Sequence, residues 1–347
     1  MTSTDVPAAL MGAEIREQPA VWRRLLASEQ FGAAAQQVLA RRPRMVLLAA
    51  RGTSDHAALY AKYLVEVTHQ LPAGLVSPST MTAYGAKPDL RDVLMFGISQ
   101  SGGSPDLVQS LEVARAQGAL TVAVTNDAGS ELAQVAEVQV DILAGTERAV
   151  AATKSYTAQL LALYLLLDRM RGGSSEAAAA LPDLGDELLL REPDVLAQAQ
   201  RYRFAQRLVT TARGYSYPTA REAALKLMET SYVSAQAFSG ADLMHGPMAM
   251  LDAQVPVLAV VADGPGGRAM REVLPRLTGS GADVFTVGTR QAVAESTSGI
   301  VLPTGIPEEL STILEILPFQ QLAMHLAVAR GENPDAPRGL LKVTQTF

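Results

Sequence analysis

The sequence predicts an α/β protein made of two parallel-sheet halves. Three observations carry this. Apolar runs of strand length alternate with longer helical patterns, the signature of βαβ units. The alternation pauses once, in a stretch at about 175–205 rich in Ala, Leu and Glu, and then resumes. The chain has 347 residues, enough for two ordinary domains.

The elements follow in order. The run RMVLLAA at 44–50 reads as a buried strand that ends at the turn Arg51-Gly52-Thr53-Ser54. A helix comes next, with Leu59, Tyr63 and Val67 four residues apart. VLMFGI at 93–98 is a second strand, followed by Ser99-Gln100-Ser101-Gly102-Gly103-Ser104. Ser104-Pro105-Asp106 starts a helix: a serine N-cap, a proline in the first turn and an acid near the positive dipole end. That helix turns Leu107, Leu111 and Ala114 inward. Strands at 120–125 and 138–143 continue the series, and a long helical region covers about 149–171. Gly172-Gly173-Ser174-Ser175 breaks it. In the second half the predicted strands are 214–217, 233–238, 257–262, 284–288 and 300–303, before a final helix at roughly 307–330. The expected organisation is a segment 1–24, a first domain 25–172, a helical connector 173–194, a second domain 195–335 and a tail 336–347.

Composition excludes several functions. Lys plus Arg number 29 against 35 Asp plus Glu, a net charge of −6, so a nucleic-acid partner is not expected. Without cysteine there is no disulfide framework, zinc–thiolate site, iron–sulfur cluster or thiol nucleophile. The four histidines show no metal-ligand spacing, and neither a metal nor a cofactor is expected. The apolar runs at 160–167 and 256–262 are far shorter than a spanning helix of about 18 residues. With no signal-peptide pattern at the N-terminus, the expected location is the cytoplasm, away from membrane.

The serine-rich turn 99–104 is the most informative local feature. Glycines let backbone approach a ligand, hydroxyls donate hydrogen bonds, and the following helix presents free N–H groups. This suits a phosphate. It has neither the lysine of a P-loop nor the spacing of a dinucleotide fingerprint, which favours a phosphorylated metabolite over a nucleotide. An ordinary polar turn with an N-cap is the alternative, and the turn 51–54 is a second loop of the same type. Glu222, Lys226 and Glu229 share one helix face after Pro218. Spacing leaves two readings open: a solvated, salt-bridged face, or a carboxylate base tuned by a lysine. His245 precedes Gly246-Pro247 in a rigid turn, either structural or titrating near neutral pH. Lys342 lies in a terminal segment that would ordinarily fray. Yet Leu340, Leu341, Val343 and Phe347 surround it, so the tail is expected to pack back on the body.

Together these residues resemble a known family. The chain is similar to tandem sugar-isomerase (SIS) domain proteins, such as the isomerase half of glucosamine-6-phosphate synthase and SIS-type glucosamine-6-phosphate deaminase. Seven blocks carry the resemblance: MGAEIREQP at 11–19, RGTSDHA at 51–57, SQSGGSPD at 99–106, AGTERAVAATKSYTAQL at 144–160, YPTAREAALKLMETSY at 217–232, DLMHGPMAML at 242–251 and PRGLLKVTQT at 337–346. The resemblance implies two SIS domains, each a five-stranded parallel sheet flanked by helices, and a homodimer with sites near the subunit interface. It implies that Ser54, Ser99, Gln100, Ser101 and Ser104, with Thr53 in the same loop, grip the phosphate of a hexose or hexosamine 6-phosphate. Val150 and Ala152 would line the sugar, and Glu222 and Lys226 would stand near the base. Glu229 matches the base that moves a proton between C1 and C2. His245 matches a histidine linked to ring opening across the dimer, and Lys342 a lysine able to form a Schiff base.

The implied function is a deaminase/isomerase taking glucosamine 6-phosphate to fructose 6-phosphate and releasing ammonia. Another aminosugar-phosphate deglycase or isomerase, or a non-catalytic sugar-phosphate sensor, are the alternatives; a pure sensor would not need Glu229, His245 and Lys342. The synthase's glutaminase half relies on a terminal cysteine, so glutaminase activity is not expected here. Two positions depart from the family: Arg51 stands where it usually has cysteine, and Gly103 where it has an acid.

Overall fold

The computed structural model describes residues 7–342. The described residues fold into two compact units: residues 20–147, 154–179 and 341–342 group around one sheet, and residues 7–19, 148–153 and 180–340 around the other. The helix α1 (Ala9–Leu26) contributes residues to both.

The first-sheet unit contains α2 (Gln30–Arg41), β1 (Met45–Ala50), α3 (Thr53–Leu64), β2 (Ala73–Leu75), α4 (Pro78–Thr82), β3 (Val93–Ser99), α5 (Pro105–Ala116), β4 (Leu120–Thr125), α6 (Glu131–Val135), β5 (Val138–Asp141) and α7 (Lys154–Met170). Its five strands are all parallel and run in the order β2-β1-β3-β4-β5. β3 and β4 are buried along their whole length, which is why they read as mostly apolar runs without alternation. Leu107, Leu111 and Ala114 of α5 point into this core as expected. Val67 does not follow Leu59 inward: the helix changes to a π turn at Val65–His69, and Val67 is exposed. The short edge strand β2 has the sequence AGL and was missed, having too few residues to show a period.

The second-sheet unit contains α8 (Leu181–Leu189), α9 (Glu192–Tyr202), β6 (Arg207–Ala212), α10 (Tyr217–Ser231), β7 (Ser234–Ser239), α11 (Gly240–Met244), β8 (Val257–Val261), α12 (Pro265–Arg271), α13 (Leu274–Gly279), β9 (Val284–Gly288), α14 (Arg290–Ala294), β10 (Ser298–Val301) and α15 (Glu308–Ala329). Its order, β7-β6-β8-β9-β10, repeats the first sheet's plan, again all parallel. The two five-stranded sheets are those the resemblance implies.

One strand was misplaced. The expected strand at 214–217 is a 3₁₀ turn, Gly214–Ser216, that leads into α10, and the true strand is RLVTTA at Arg207–Ala212. Thr210 and Thr211 interrupt its apolar reading, but both are buried, and the Thr210 hydroxyl donates to the Ala220 carbonyl at 2.7 Å. β-branched threonine fits a pleated strand, although Thr211 Oγ1 has no hydrogen-bond partner among the described residues. The helix α15 is long and apolar enough to cross a membrane by length and composition, yet 83% of it is buried in the protein.

Candidate functional site

In the first-sheet unit, the loops 51–54 and 99–104 leave the carboxyl ends of the neighbouring strands β1 and β3. The connections from β1 and β3 go to opposite sides of the sheet, and such a switch point is where open α/β sheets bind ligands. Ser99 is buried, and its Oγ accepts from the Gly102 N–H at 3.1 Å. The Ser101 Oγ accepts from the Gly103 N–H at 3.3 Å. These two bonds wind residues 99–103 into a tight cradle. Ser104 occupies the N-cap position of α5 in an extended conformation, but its side chain makes no capping bond, contrary to the sequence reading. The Ser104 carbonyl accepts from the Leu107 and Val108 N–H groups instead, each at 3.1 Å, so the hydroxyl is not spent on the helix start. Thr53 and Ser54 begin α3, and the buried Ser54 hydroxyl accepts from Gln159 Nε2 of α7 at 2.9 Å. Gln100 is half-buried in the same loop.

Arg51 does not extend over this cradle. Its guanidinium holds Asp106 in the first turn of α5, with Nε and Nη2 at 2.8 and 2.7 Å from the same carboxylate oxygen. Asp106 is almost fully buried. The pair fastens the β1 loop to the helix that follows the serine cradle.

Lys342 also belongs to this unit. The tail's apolar side chains do not pack as expected: Leu340 is 40% and Leu341 is 78% exposed, while Val343 and Phe347 lie outside the described residues. What meets the body is polar. Lys342 Nζ donates to Glu147 Oε2 at 2.8 Å. The Glu147 side chain is fully buried, and it also accepts from the Ser155 N–H and hydroxyl at 3.0 and 2.7 Å. Sequence reasoning missed Glu147. It sits in an irregular segment with no period, and its one sequence signal is an acid inside the conserved-order block AGTERAVAATKSY.

The second-sheet unit carries the carboxylate–lysine cluster. Proline at the second position of α10 fixes the helix start, and the face bearing residues 222, 226 and 229 turns inward. The solvated reading fails, because the side chains of Glu222 and Lys226 are 0% and 1% exposed. Lys226 Nζ lies 2.5 Å from Glu229 Oε2 and 3.4 Å from Glu222 Oε1. Glu229 keeps 23% of its side chain exposed. One buried ammonium thus stands between a buried carboxylate and a carboxylate with an open edge, and charge-assisted bonds of this kind hold position strongly. Val150 and Ala152 are half-buried in the segment 148–153 of the same unit. Glu14 of α1 anchors that segment by accepting from the Arg148 and Ala149 N–H groups, and the Val150 N–H donates to the Asp335 carbonyl.

His245 ends α11 and is exposed. Its side chain makes no hydrogen bond to Glu222, Lys226 or Glu229; it borders a surface hollow of about 460 Å³ with Arg213, Glu272 and Arg276. Among the described residues, no cluster of His, Asp or Glu is arranged to hold a metal ion.

A buried acid nearby in the fold has a different role. Glu315 of α15 accepts from the hydroxyls of Ser216, Thr219 and Ser311 at 2.9, 3.0 and 2.6 Å. Burial outweighs these bonds and pushes its pKa from 4.5 up to about 7. The native state then binds a proton more tightly than the unfolded chain, so this group's stabilisation is complete below pH 4.5 and is lost as pH rises to about 7. Glu315→Gln is expected to stabilise the protein at pH 8 relative to pH 4.5, by up to about 3 kcal/mol in urea unfolding. An equal effect at both pH values would refute the elevated pKa.

The architecture is a doubly wound α/β protein with a hydroxyl-lined loop at the switch point of one sheet. The chain belongs to the SIS domain family, whose profile matches residues 39–169 and 202–297. It is 34% identical over 95% of its length to a glutamine–fructose-6-phosphate aminotransferase (isomerizing) of Gloeobacter violaceus, and covers 57% of that protein. The corresponding Pyrococcus horikoshii enzyme is 32% identical over 86% of this chain and 51% of its own. The chain thus spans about half the length of these curated relatives. Among solved structures, a Silicibacter pomeroyi protein described as a phosphosugar isomerase matches with a TM-score of 0.85 and 31% identity, covering 95% of this chain and all of that one. The C-terminal domain of the Francisella tularensis glucosamine-fructose-6-phosphate aminotransferase matches at 0.85 and 26%, over 97% and 100% of the two chains. A glucosamine-6-phosphate deaminase of Thermotoga maritima, at 0.80 and 23%, shares the fold.

Proposed function

We infer that the chain is a phosphosugar isomerase that acts as a deaminase, converting glucosamine 6-phosphate and water to fructose 6-phosphate and ammonia. The observation that carries the reading is Glu229, a carboxylate with one exposed edge, held from behind by a buried lysine that also faces Glu222. A 1,2-shift needs one base that takes a proton beside a carbonyl and returns it one carbon away. Glu229 would take the C2 proton of the open-chain aminoaldose and deliver it to C1. The resulting C2 imine adds water and expels ammonia, leaving the ketone. Thr53, Ser54, Ser99, Gln100, Ser101 and Ser104 would bind the phosphate, the last through a hydroxyl not spent on capping α5. Val150 and Ala152 would border the sugar. His245, exposed at the end of α11, would assist ring opening in a second subunit of a homodimer. Lys342 would act on the open-chain ketose once released from Glu147. The cytoplasm, where sugar phosphates are held, is the location consistent with this substrate.

A second substrate is favoured by one observation. Gly103 leaves open space in the cradle, where an added Cβ would meet no atom nearer than Ser101 Oγ at 3.9 Å. Another aminosugar phosphate fits the same chemistry. Purified protein mixed with glucosamine 6-phosphate is expected to yield ammonia and fructose 6-phosphate in equal amounts. A folded protein that yields neither, while releasing ammonia from a different aminosugar phosphate, would shift the assignment to that substrate. Silence on the whole panel would leave a sugar-phosphate sensor.

A further inference from the structure

The two sheets share one strand order, so each loop of the first has a counterpart in the second. The counterpart of the serine cradle after β3 is the loop after β8, Ala262-Asp263-Gly264-Pro265-Gly266-Gly267. It has the glycines and lacks the hydroxyls. It is also already filled. Glu308, in the first turn of α15, sends its carboxylate into the loop, where the Gly267 N–H donates to Oε1 at 3.0 Å and Gly266 donates from its backbone as well. A Cβ placed on Gly264 would lie 2.3 Å from Glu308 Oε2, and one on Gly266 would lie 2.6 Å from Oε1. The glycines therefore accommodate an internal carboxylate in the place where the first sheet leaves room for an external anion.

Beside this closed loop is an open cavity of about 320 Å³. Arg268 and Arg271 border it from α12, Thr289 and Arg290 from the end of β9, and Leu302 and Leu314 supply apolar wall. Three guanidiniums face one lining carboxylate, Asp263, on a chain whose net charge is −6. Arg271 pairs with Glu295 at 3.2 Å, but its buried Nε has no hydrogen-bond partner among the described residues. The side chains of Arg268, which feels the charge of Glu308, and of Arg290 are exposed and make no hydrogen bond or salt bridge among the described residues. The buried Arg271 Nε is a costly donor to leave unmade unless a ligand supplies an acceptor. Guanidiniums match the oxygens of a phosphate monoester in pairs.

We propose that this cavity is a second anion site, distinct from the serine cradle, that takes a small phosphorylated metabolite the size of a hexose phosphate. The volume is at the lower end of the roughly 300–1,000 Å³ of small-molecule sites, which excludes a dinucleotide. The apolar wall distinguishes it from a site for free phosphate. Its occupant is held by side chains alone, because Glu308 has taken the loop's backbone donors. The proposal does not depend on the deaminase reading, since it concerns binding and not turnover.

The test is calorimetric titration of the full chain with glucitol 6-phosphate, whose reduced C1 cannot isomerise, and with inorganic phosphate. Two glucitol 6-phosphate sites per chain are expected. Arg268→Gln/Arg290→Gln should weaken one of them at least 10-fold and leave the other, and the turnover of the unliganded enzyme, unchanged. Ser101→Ala/Ser104→Ala should do the converse. One site per chain that survives the arginine substitutions in a protein with unchanged circular dichroism would overturn the proposal. So would loss of all binding in the serine variant, or an arginine-dependent site that takes inorganic phosphate and not glucitol 6-phosphate. Failure of the deaminase assay would leave all of the binding readouts intact.

Discussion

Glu229→Gln is expected to lower kcat on glucosamine 6-phosphate by about 10³-fold, with KM changed by less than about threefold. The amide keeps the size of the carboxylate and can still accept from Lys226 Nζ, which lies 2.5 Å from Glu229 Oε2. It cannot accept a proton from carbon. A group used only as the substrate's proton is moving affects the rate and spares binding. Steady-state kinetics with equilibrium binding of glucitol 6-phosphate separates the two effects. A variant with normal kcat would remove Glu229 from the base's role. A variant with normal kcat and raised KM would make it a binding residue.

The second large effect is on stability. Lys226→Met removes the ammonium that faces both Glu222 and Glu229 from a position that is 1% exposed. The Glu222 side chain is fully buried. Taking one partner from a buried ion pair typically costs about 3–5 kcal/mol, because the remaining charge is left without compensation. Urea unfolding should show a loss of that size. Adding Glu222→Gln should restore a large part of it, since the second change removes the stranded charge. A loss below about 1 kcal/mol in Lys226→Met would mean that the cluster behaves like an exposed pair. The same substitution should also lower kcat, because Glu229 loses the group that fixes its position.

The fold was legible where a strand buried on both faces is also mostly apolar. β3, β4, β8 and β9 are dominated by Val, Leu, Ile, Ala and Phe, and turn or capping residues follow them. β6 escaped because Thr210 and Thr211 hide a buried strand behind polar side chains, of which the fold pairs the Thr210 hydroxyl. The site was partly legible. The serine cradle declares itself by residue type at a strand end. The cluster on α10 gave its spacing but not its burial, because i, i+3 and i, i+4 charges look alike on a solvated face and in a core. Glu147 was invisible for a related reason: its partner Lys342 is 195 residues away, a distance no local pattern spans. The Ser104 cap was predicted from identity and position, yet the hydroxyl makes no capping bond.

Adjacent glycines in the cradle have opposite latitude for change. Gly102 sits at φ +62°, and a Cβ there would lie 2.1 Å from Ser130 Oγ and 2.5 Å from its Cβ. Almost any substitution at 102 breaks the loop before it can alter a ligand. Gly103 has ordinary space around it. Mutational drift in this loop is thus funnelled to a single position. A lineage can try acidic, polar or small side chains at 103, while the backbone proposed to grip a phosphate is held constant by its neighbour.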